Sequence, residues 1–487
     1  MNEEETLEGV IKEIKKLKPF EIIVIVNGST DATKQIAESL ECKVIEYKPP
    51  LGHDIGRAVG AYFATGDTLL FLDGDMVIPY KELIPLVKAI EEGNDIALND
   101  LEAILEINQR PHSVTVVKKM LNDWYGYSNL TINSLVATPH AMSMRALKKI
   151  RWYNLSNPAL AQAIAMREKL SIVAPSYIEV IKRNKIRPEI HFVQSQDSPY
   201  CSIENIIFGD HLAAVNFLIE EMGERGGFRD YRNRLFIENL EVEPKLKKVK
   251  RSAIIIDEKY EGYEQIISII QSLQASYSEE IFVISSDPDT RKMNEIILTG
   301  AKFVPILEYL GPFVSRSVGA ALSGGESVLF IHTDFSLSSK NFDAFFLEIE
   351  NGADAALLDV GQILDNVRPI DPINSMQYFL NISIKRPDLY NCGLFYTPHA
   401  LSRKVLDRIG YTSLMIPPVA YLKMIENNFN LVTVQLLQEK LNAQEDLATD
   451  VHFGDYLEAL ANYLIKTNNR GNFSNGQRDF TVLENLK

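Results

Sequence analysis

Thr68-Leu69-Leu70-Phe71-Leu72-Asp73-Gly74-Asp75 is the stretch around which the chain is organised. A run of apolar residues leads straight into two carboxylates with one glycine between them. The run does not alternate, so it predicts a strand buried on both faces. The carboxylates then fall at the strand's end. In open α/β sheets ligands gather at the carboxyl edge of the strands. Two acidic side chains there can hold a hard divalent cation, which keeps waters and also binds a substrate phosphate. The stretch therefore predicts a metal–nucleotide site on a mostly parallel sheet.

Upstream, Leu7, Val10, Ile11, Ile14 and Leu17 recur at helical spacing. Glu21–Val26 reads as a strand. Asn27-Gly28-Ser29-Thr30-Asp31 reads as a turn whose hydroxyls cap a helix over Ala32–Leu40. Lys43–Tyr47 is a second strand, and Pro49-Pro50-Leu51-Gly52 a loop. A helix follows from about Ile55 to Ala64, with Gly56 and Gly60 one turn apart. Downstream, Pro79 opens a helix with Leu83, Leu86, Val87 and Ile90 on one face. Alternating strands and helices predict a parallel sheet covered on both sides.

The pattern then returns. Leu51-Gly52…Ile55-Gly56-Arg57-Ala58-Val59-Gly60-Ala61 matches Leu310-Gly311…Val314-Ser315-Arg316-Ser317-Val318-Gly319-Ala320, and Thr138-Pro139-His140-Ala141 matches Thr397-Pro398-His399-Ala400. Both pairs are offset by 259 (310 − 51 and 397 − 138). Phe208-Gly209-Asp210 returns as Phe453-Gly454-Asp455, and Arg225-Gly226 as Arg470-Gly471. Two tandem copies of one α/β fold are expected: residues 1–237, a lysine-rich linker over 238–251, and residues 252–487.

The copies differ at the carboxylates. Asp73-Gly74-Asp75 becomes His332-Thr333-Asp334, and Asn27-Gly28-Ser29 becomes Ser285-Ser286-Asp287. The first copy is thus expected to hold the chemistry and the second to be a degenerate partner. The second copy opens with a strand, Ser252-Ala253-Ile254-Ile255-Ile256, that has no counterpart before Met1-Asn2-Glu3. That strand belongs in the middle of the sheet. Either the true start lies upstream or another segment fills the position, because an unfilled gap leaves unpaired strand edges.

Composition narrows the function. The 487 residues are 46% hydrophobic and 24% charged, with a net charge of −15. This balance argues against a broad nucleic-acid or anionic-membrane surface, so a phosphate-bearing ligand must be drawn by a local site. Cys42, Cys201 and Cys392 are scattered and make neither a disulfide framework nor a zinc pattern. No apolar run reaches the roughly 20 residues of a membrane span, and the acidic N-terminus carries no signal peptide. These features point to a cytoplasmic protein with no transmembrane segment; oligomeric state stays open.

Residues 2–85 resemble the catalytic half of a family 2, GT-A fold, nucleotide-sugar glycosyltransferase. The resemblance rests on Asn2-Glu3-Glu4, Val26-Asn27-Gly28-Ser29-Thr30-Asp31, Gly52…Gly56-Arg57-Ala58…Gly60, Gly66-Asp67, and Phe71-Leu72-Asp73-Gly74-Asp75 with Pro79. It implies a nucleotide-sugar donor and Mn²⁺ or Mg²⁺ held by Asp75 and, through water, Asp73. It also implies Asn27 near the nucleobase, with Gly52 and Arg57 at the phosphates and sugar. Ser29, a substrate-side candidate of the same turn, also has a turn-fixing role open to it. Arg57 recurs as Arg316, so a structural ion pair remains open beside phosphate contact. His140 recurs as His399, which favours structure.

The Glu-Asp pair that supplies a general base in inverting members has no match over Asn154–Leu170. Retaining synthases that glycosylate phosphorylated three-carbon acids share this layout, and they end the catalytic region with a basic stretch and a metal-assisting histidine. Lys182-Arg183-Asn184-Lys185-Ile186-Arg187-Pro188-Glu189-Ile190-His191 corresponds to that stretch. It makes Lys182 and Arg183 candidate substrate contacts and His191 a candidate metal ligand. Asp100 follows a strand, matches Asp359, and is a candidate contact to the acceptor. A non-catalytic sugar-nucleotide sensor or scaffold is the competing expectation.

Overall fold

The computed structural model describes residues 1–487 except 107–109, 194–197, 239–247, 258–262, 287–288, 309, 334–336, 362–364, 366–369 and 437–448. Most of the expected linker, Asp287 and Asp334 therefore lie outside the described residues.

The strands are β1 (Ile23–Asn27), β2 (Lys43–Tyr47), β3 (Thr68–Phe71), β4 (Ile96–Asn99), β5 (His140–Ser143) and β6 (Ile172–Ser176). They continue with β7 (Val249–Asp257), β8 (Glu280–Ser285), β9 (Lys302–Pro305), β10 (Gly325–His332), β11 (Ala355–Leu358), β12 (His399–Ser402) and β13 (Leu431–Val434). Helices lie between them, so the fold is mixed α/β. Taken over the three sheets most pairings are parallel; β5 and β12 alone run antiparallel to their neighbours.

In the second half, seven strands form one sheet in the order β13-β11-β12-β10-β7-β8-β9. The first half has the same order with one position empty: β6-β4-β5-β3 forms one sheet and β1-β2 another. The break falls where β7 lies between β8 and β10. Among the described residues no strand fills it.

The expectation that β3 is buried on both faces is corrected accordingly. Only Leu69 is fully buried, while Thr68, Leu70 and Phe71 are partly exposed. In β10 every residue from Ser327 to Ile331 is buried. The missing neighbour also moves a helix. Gly319 of Val314–Leu322 lies against Ile254 of β7, whereas Gly60 of Ile55–Phe63 rests on Ile25 of β1. Leu7, Ile11 and Ala37 form a small apolar cluster with Val24 and Val44, separate from the main core.

The two halves interlock. Helix Ser113–Trp124 packs on Pro372–Ser383, and Ser202–Met222 on Asp450–Lys466. Trp124 meets Phe379 edge-on at 4.9 Å, and Phe228 stacks on Phe453 at 5.3 Å. The matched Phe-Gly-Asp and Arg-Gly motifs meet across this seam. Arg225 of the first half donates to Asp455 and Glu458 at 2.8 Å each, and Arg470 of the second half donates to Asp210. Gly209 and Gly454 stand in mid-helix because a Cβ there would collide with the guanidinium of Arg470 or Arg225. The glycine makes the space that the aspartate uses.

Candidate functional site

The carboxyl edge of β3 carries the two aspartates. Asp73 stands two residues past the strand's last residue and accepts a hydrogen bond from Thr138. Thr138 precedes β5, the antiparallel neighbour of β3, so the pairing of these strands brings the two side chains together. Arg57, on helix Ile55–Phe63, stands 3.9 Å from the Asp73 carboxylate and 3.3 Å from Asp54, and it donates to the Leu135 carbonyl at 3.2 Å. Arg57 is thus both an anchored structural group and a cation facing Asp73.

Asp75, two residues on, meets different partners. Arg187 donates to it at 2.8 Å and to Glu3 at 2.7 Å. The Asp75 and Glu3 side chains are only 11% and 7% exposed. Burial works against the charge of Arg187, but the hydrogen bond and attraction of Asp75, with those of Glu3, outweigh it and push its pKa up. The basic stretch therefore reaches the aspartates through Arg187. Sequence reasoning placed Lys182 and Arg183 there instead. Arg183 is held by Glu82 through two bonds of 2.8 and 3.0 Å, and Lys182 is solvent-exposed beside Glu179. Run composition flagged the segment, but only the backbone path selects which arginine arrives.

The Asn-Gly-Ser turn lies on the same rim. The Asn2 backbone N–H donates to Ser29 at 3.1 Å, and the Glu3 backbone N–H to Thr33 at 2.9 Å. Thr6 donates to the Gly74 carbonyl at 2.9 Å. Residues 2–6 thus bridge the turn after β1 and the aspartate loop after β3. Asn27 accepts from the Leu51 N–H at 2.6 Å and donates to the Gly52 carbonyl at 3.2 Å, tying the glycine loop to β1. The expected hydroxyl caps are replaced. Asp31, not Ser29 or Thr30, accepts from Thr33 at 3.0 Å, and Ser29 and Thr30 instead hold Asn2.

Other candidates sit elsewhere. Asp100 closes the turn after β4, accepting from the Glu102 N–H at 3.1 Å and from Asn133 at 3.4 Å. His191 accepts from the Arg187 backbone N–H at 2.8 Å, so it caps its own single helical turn. Among the described residues no three His, Cys, Asp or Glu side chains are gathered closely enough to hold a metal ion. The structure thus brings Asp73, Asp75, Arg57 and Arg187 to one rim and leaves His191 outside any such cluster. His140 is buried, stacks on Phe71 at 5.0 Å and shares its Nδ1 with the Ala137 carbonyl at 2.9 Å; burial lowers its pKa to about 3. His399 repeats all of this on Phe330 and Tyr396.

At the corresponding rim of the second half, His332 stands in the place of Asp73, 3.3 Å from Arg316. Phe313 stands in the place of Asp54 and packs under the Arg316 guanidinium at 4.8 Å.

Residues 1–146 match the model of glycosyl transferase family 2. This span contains β1 to β5, the turn and both aspartates. No curated protein matches the chain. Among solved structures, the chain is similar to glucosyl-3-phosphoglycerate synthase from Mycobacterium tuberculosis in complex with Mn²⁺, UDP and glucosyl-3-phosphoglycerate. Identity there is 16%, with 44% of this chain and 77% of that one covered and a TM-score of 0.31. The same enzyme with Mn²⁺ and UDP-glucose matches at 15% identity, 44% and 77% coverage and a TM-score of 0.31. In another crystal structure of it the values are 15%, 44%, 78% and 0.32. Among the described residues no helix is long and apolar enough to cross a membrane.

Proposed function

We propose that the first half transfers a sugar from a nucleoside-diphosphate sugar with the help of a divalent cation. The second half is a degenerate copy of the same fold that serves as its packing partner. The observation that carries the reading is the rim after β3. Two carboxylates stand there with an arginine already lodged against one of them. That guanidinium is a counter-ion supplied by the chain itself, so the site is built to face positive charge. Asp73 and Asp75 offer the hard oxygen donors that Mn²⁺ or Mg²⁺ takes. Such an ion, when bound, would offset charge gathering on a departing diphosphate.

The chain's own groups have the remaining work. Arg57, fixed by the Leu135 carbonyl and Asp54, presents a cation toward the same face and can hold a phosphate oxygen. Asn27 and Gly52 shape the loop that borders the nucleoside. Arg187 stands between Asp75 and Glu3 and offsets their mutual repulsion. Release from Asp75 leaves it free to meet anionic substrate.

The test is incubation of the full chain with UDP- and GDP-sugars and Mn²⁺, measuring free nucleoside diphosphate. Release that disappears in Asp75→Ala supports the proposal; no release with any donor and a broad acceptor panel refutes it. The split sheet favours a second reading, a sugar-nucleotide sensor without turnover. Saturable UDP or GDP binding with no release selects that reading.

A further inference from the structure

The glycine loop of the first half is closed by the far end of the chain. Arg478 is fully buried, and its Nε donates to the His53 carbonyl at 3.0 Å. Its two terminal nitrogens donate to Asp210 at 2.7 and 2.8 Å, and one also to Asp54 at 2.5 Å. The Asp479 N–H donates to the Leu51 carbonyl at 2.9 Å. Gly52 has φ +80°, and its α-carbon faces the Arg478 backbone so closely that a Cβ would lie 2.8 Å from it. The loop is thus gripped by Asn27 from β1 on one side and by Arg478 from the second half on the other.

Asp54 is the link onward. It lies 3.3 Å from Arg57, which stands 3.9 Å from Asp73. Burial pushes the Asp54 carboxyl up, but Arg57 and Arg478 together hold it below the usual carboxylate range. A row of alternating charges, Arg478–Asp54–Arg57–Asp73, runs from the C-terminal segment to the rim.

The second half supplies the internal control. There Arg232 makes the matching clasp: it is fully buried, donates to Asp455 at 3.0 Å, and lies beside Gly311, while Asn233 donates to the Leu310 carbonyl at 2.8 Å. The clasp is present in both halves. The row is not, because Phe313 and His332 replace the two carboxylates. Arg232 also takes a second carboxylate, Asp230 of its own segment at 2.7 Å, but the one that links clasp to rim arginine, Asp54, has Phe313 in its place there.

We infer that Arg478 is a positioning residue for the donor site of the first half, acting through Asp54 to set the guanidinium of Arg57. The inference rests on the proposed sugar-nucleotide reading. It makes the rim complete only when the C-terminal segment is docked on the glycine loop.

The experiment uses the full chain with Arg478→Lys, Asp54→Asn, both together, and Arg232→Lys as the clasp control. Binding of UDP and GDP with Mn²⁺ is measured by calorimetry, KM and kcat by nucleotide release, and folding by thermal melting. Arg478→Lys and Asp54→Asn should each weaken nucleotide binding about tenfold, as a misplaced positioning group does, and the double variant should be no worse than either. Arg232→Lys should lower the melting temperature and leave nucleotide binding and KM unchanged. Equal weakening by Arg232→Lys, or unchanged binding in Arg478→Lys with only a lower melting temperature, overturns the inference and leaves the proposed function standing. A wild type that binds no nucleotide removes both.

Discussion

Arg187→Met is predicted to tighten Mn²⁺ binding by the nucleotide-free protein about tenfold. The guanidinium holds Asp75 at 2.8 Å and Glu3 at 2.7 Å. An ion arriving at Asp75 must take that oxygen from it. A hydrogen bond to a charged group is worth about 1.5–3 kcal/mol. Arg187 is 28% exposed and would keep its bond to Glu3, so the lower end applies. About 1.4 kcal/mol corresponds to tenfold in affinity. Methionine keeps the unbranched stem of the side chain and removes charge and donors. Leaving Glu3, 7% exposed, without its partner should also lower the melting temperature, so binding must be read well below it. Titration of Mn²⁺ by electron paramagnetic resonance, with Asp75→Asn as the non-binding control, measures the effect. Affinity in Arg187→Met equal to or weaker than wild type would refute the reasoning, since the arginine would then not compete for the carboxylate.

Gly52→Ala should destabilise the chain by about 2 kcal/mol or more, from the positive φ and the collision with the Arg478 backbone; urea unfolding checks this, and a loss under ~0.5 kcal/mol would refute the close approach. Arg225→Ala removes one of the two arginines on each of Asp455 and Glu458, which keep Arg232 and Arg234, and should cost about 2 kcal/mol in the same assay, whereas Lys12→Ala on the exposed pair with Glu8 should be neutral. His140 and His399 have pKa values lowered by burial to about 3, and His211 to about 4. Their folded values lie below the unfolded one, so the stability they confer is full above about pH 6.5 and is lost as pH falls through those folded values, by up to about 2 kcal/mol per group at pH 5. The urea midpoint should fall from pH 7 to pH 5, and His140→Phe, which keeps a ring on Phe71, should flatten the fall; an unchanged midpoint would refute the assignment.

Much of the fold was legible because local pattern and global arrangement agree. Lys43–Tyr47 is a strand as read, Ile23–Asn27 differs from its reading by one or two residues at each end, and the helix after Pro79 buries Leu83, Leu86 and Ile90. The aspartates stand at the end of β3 because an apolar run must pass inside and its carboxylates cannot follow. The repeat located β12 from β5 and marked Asp210, Asp455, Arg225 and Arg470 as paired features. It could not tell that each arginine serves the other half's aspartate, since periodicity describes one element and not what crosses to it. Arg478 lies more than four hundred residues from Asp54 in sequence, and no spacing rule connects them. Likewise the partly exposed faces of β1 and β3 follow from an empty neighbouring position, which local hydrophobicity does not register.

The reciprocal arginine clasps have a kinetic consequence. Two separate subunits joined by such contacts would come apart on dilution, but within a single polypeptide the partner is always present at high local concentration. Their association is then first-order, and the melting temperature should not depend on how much protein is in the tube. On the proposed reading, the tether lets residues 252–487 serve by grip alone, with no chemistry asked of their rim.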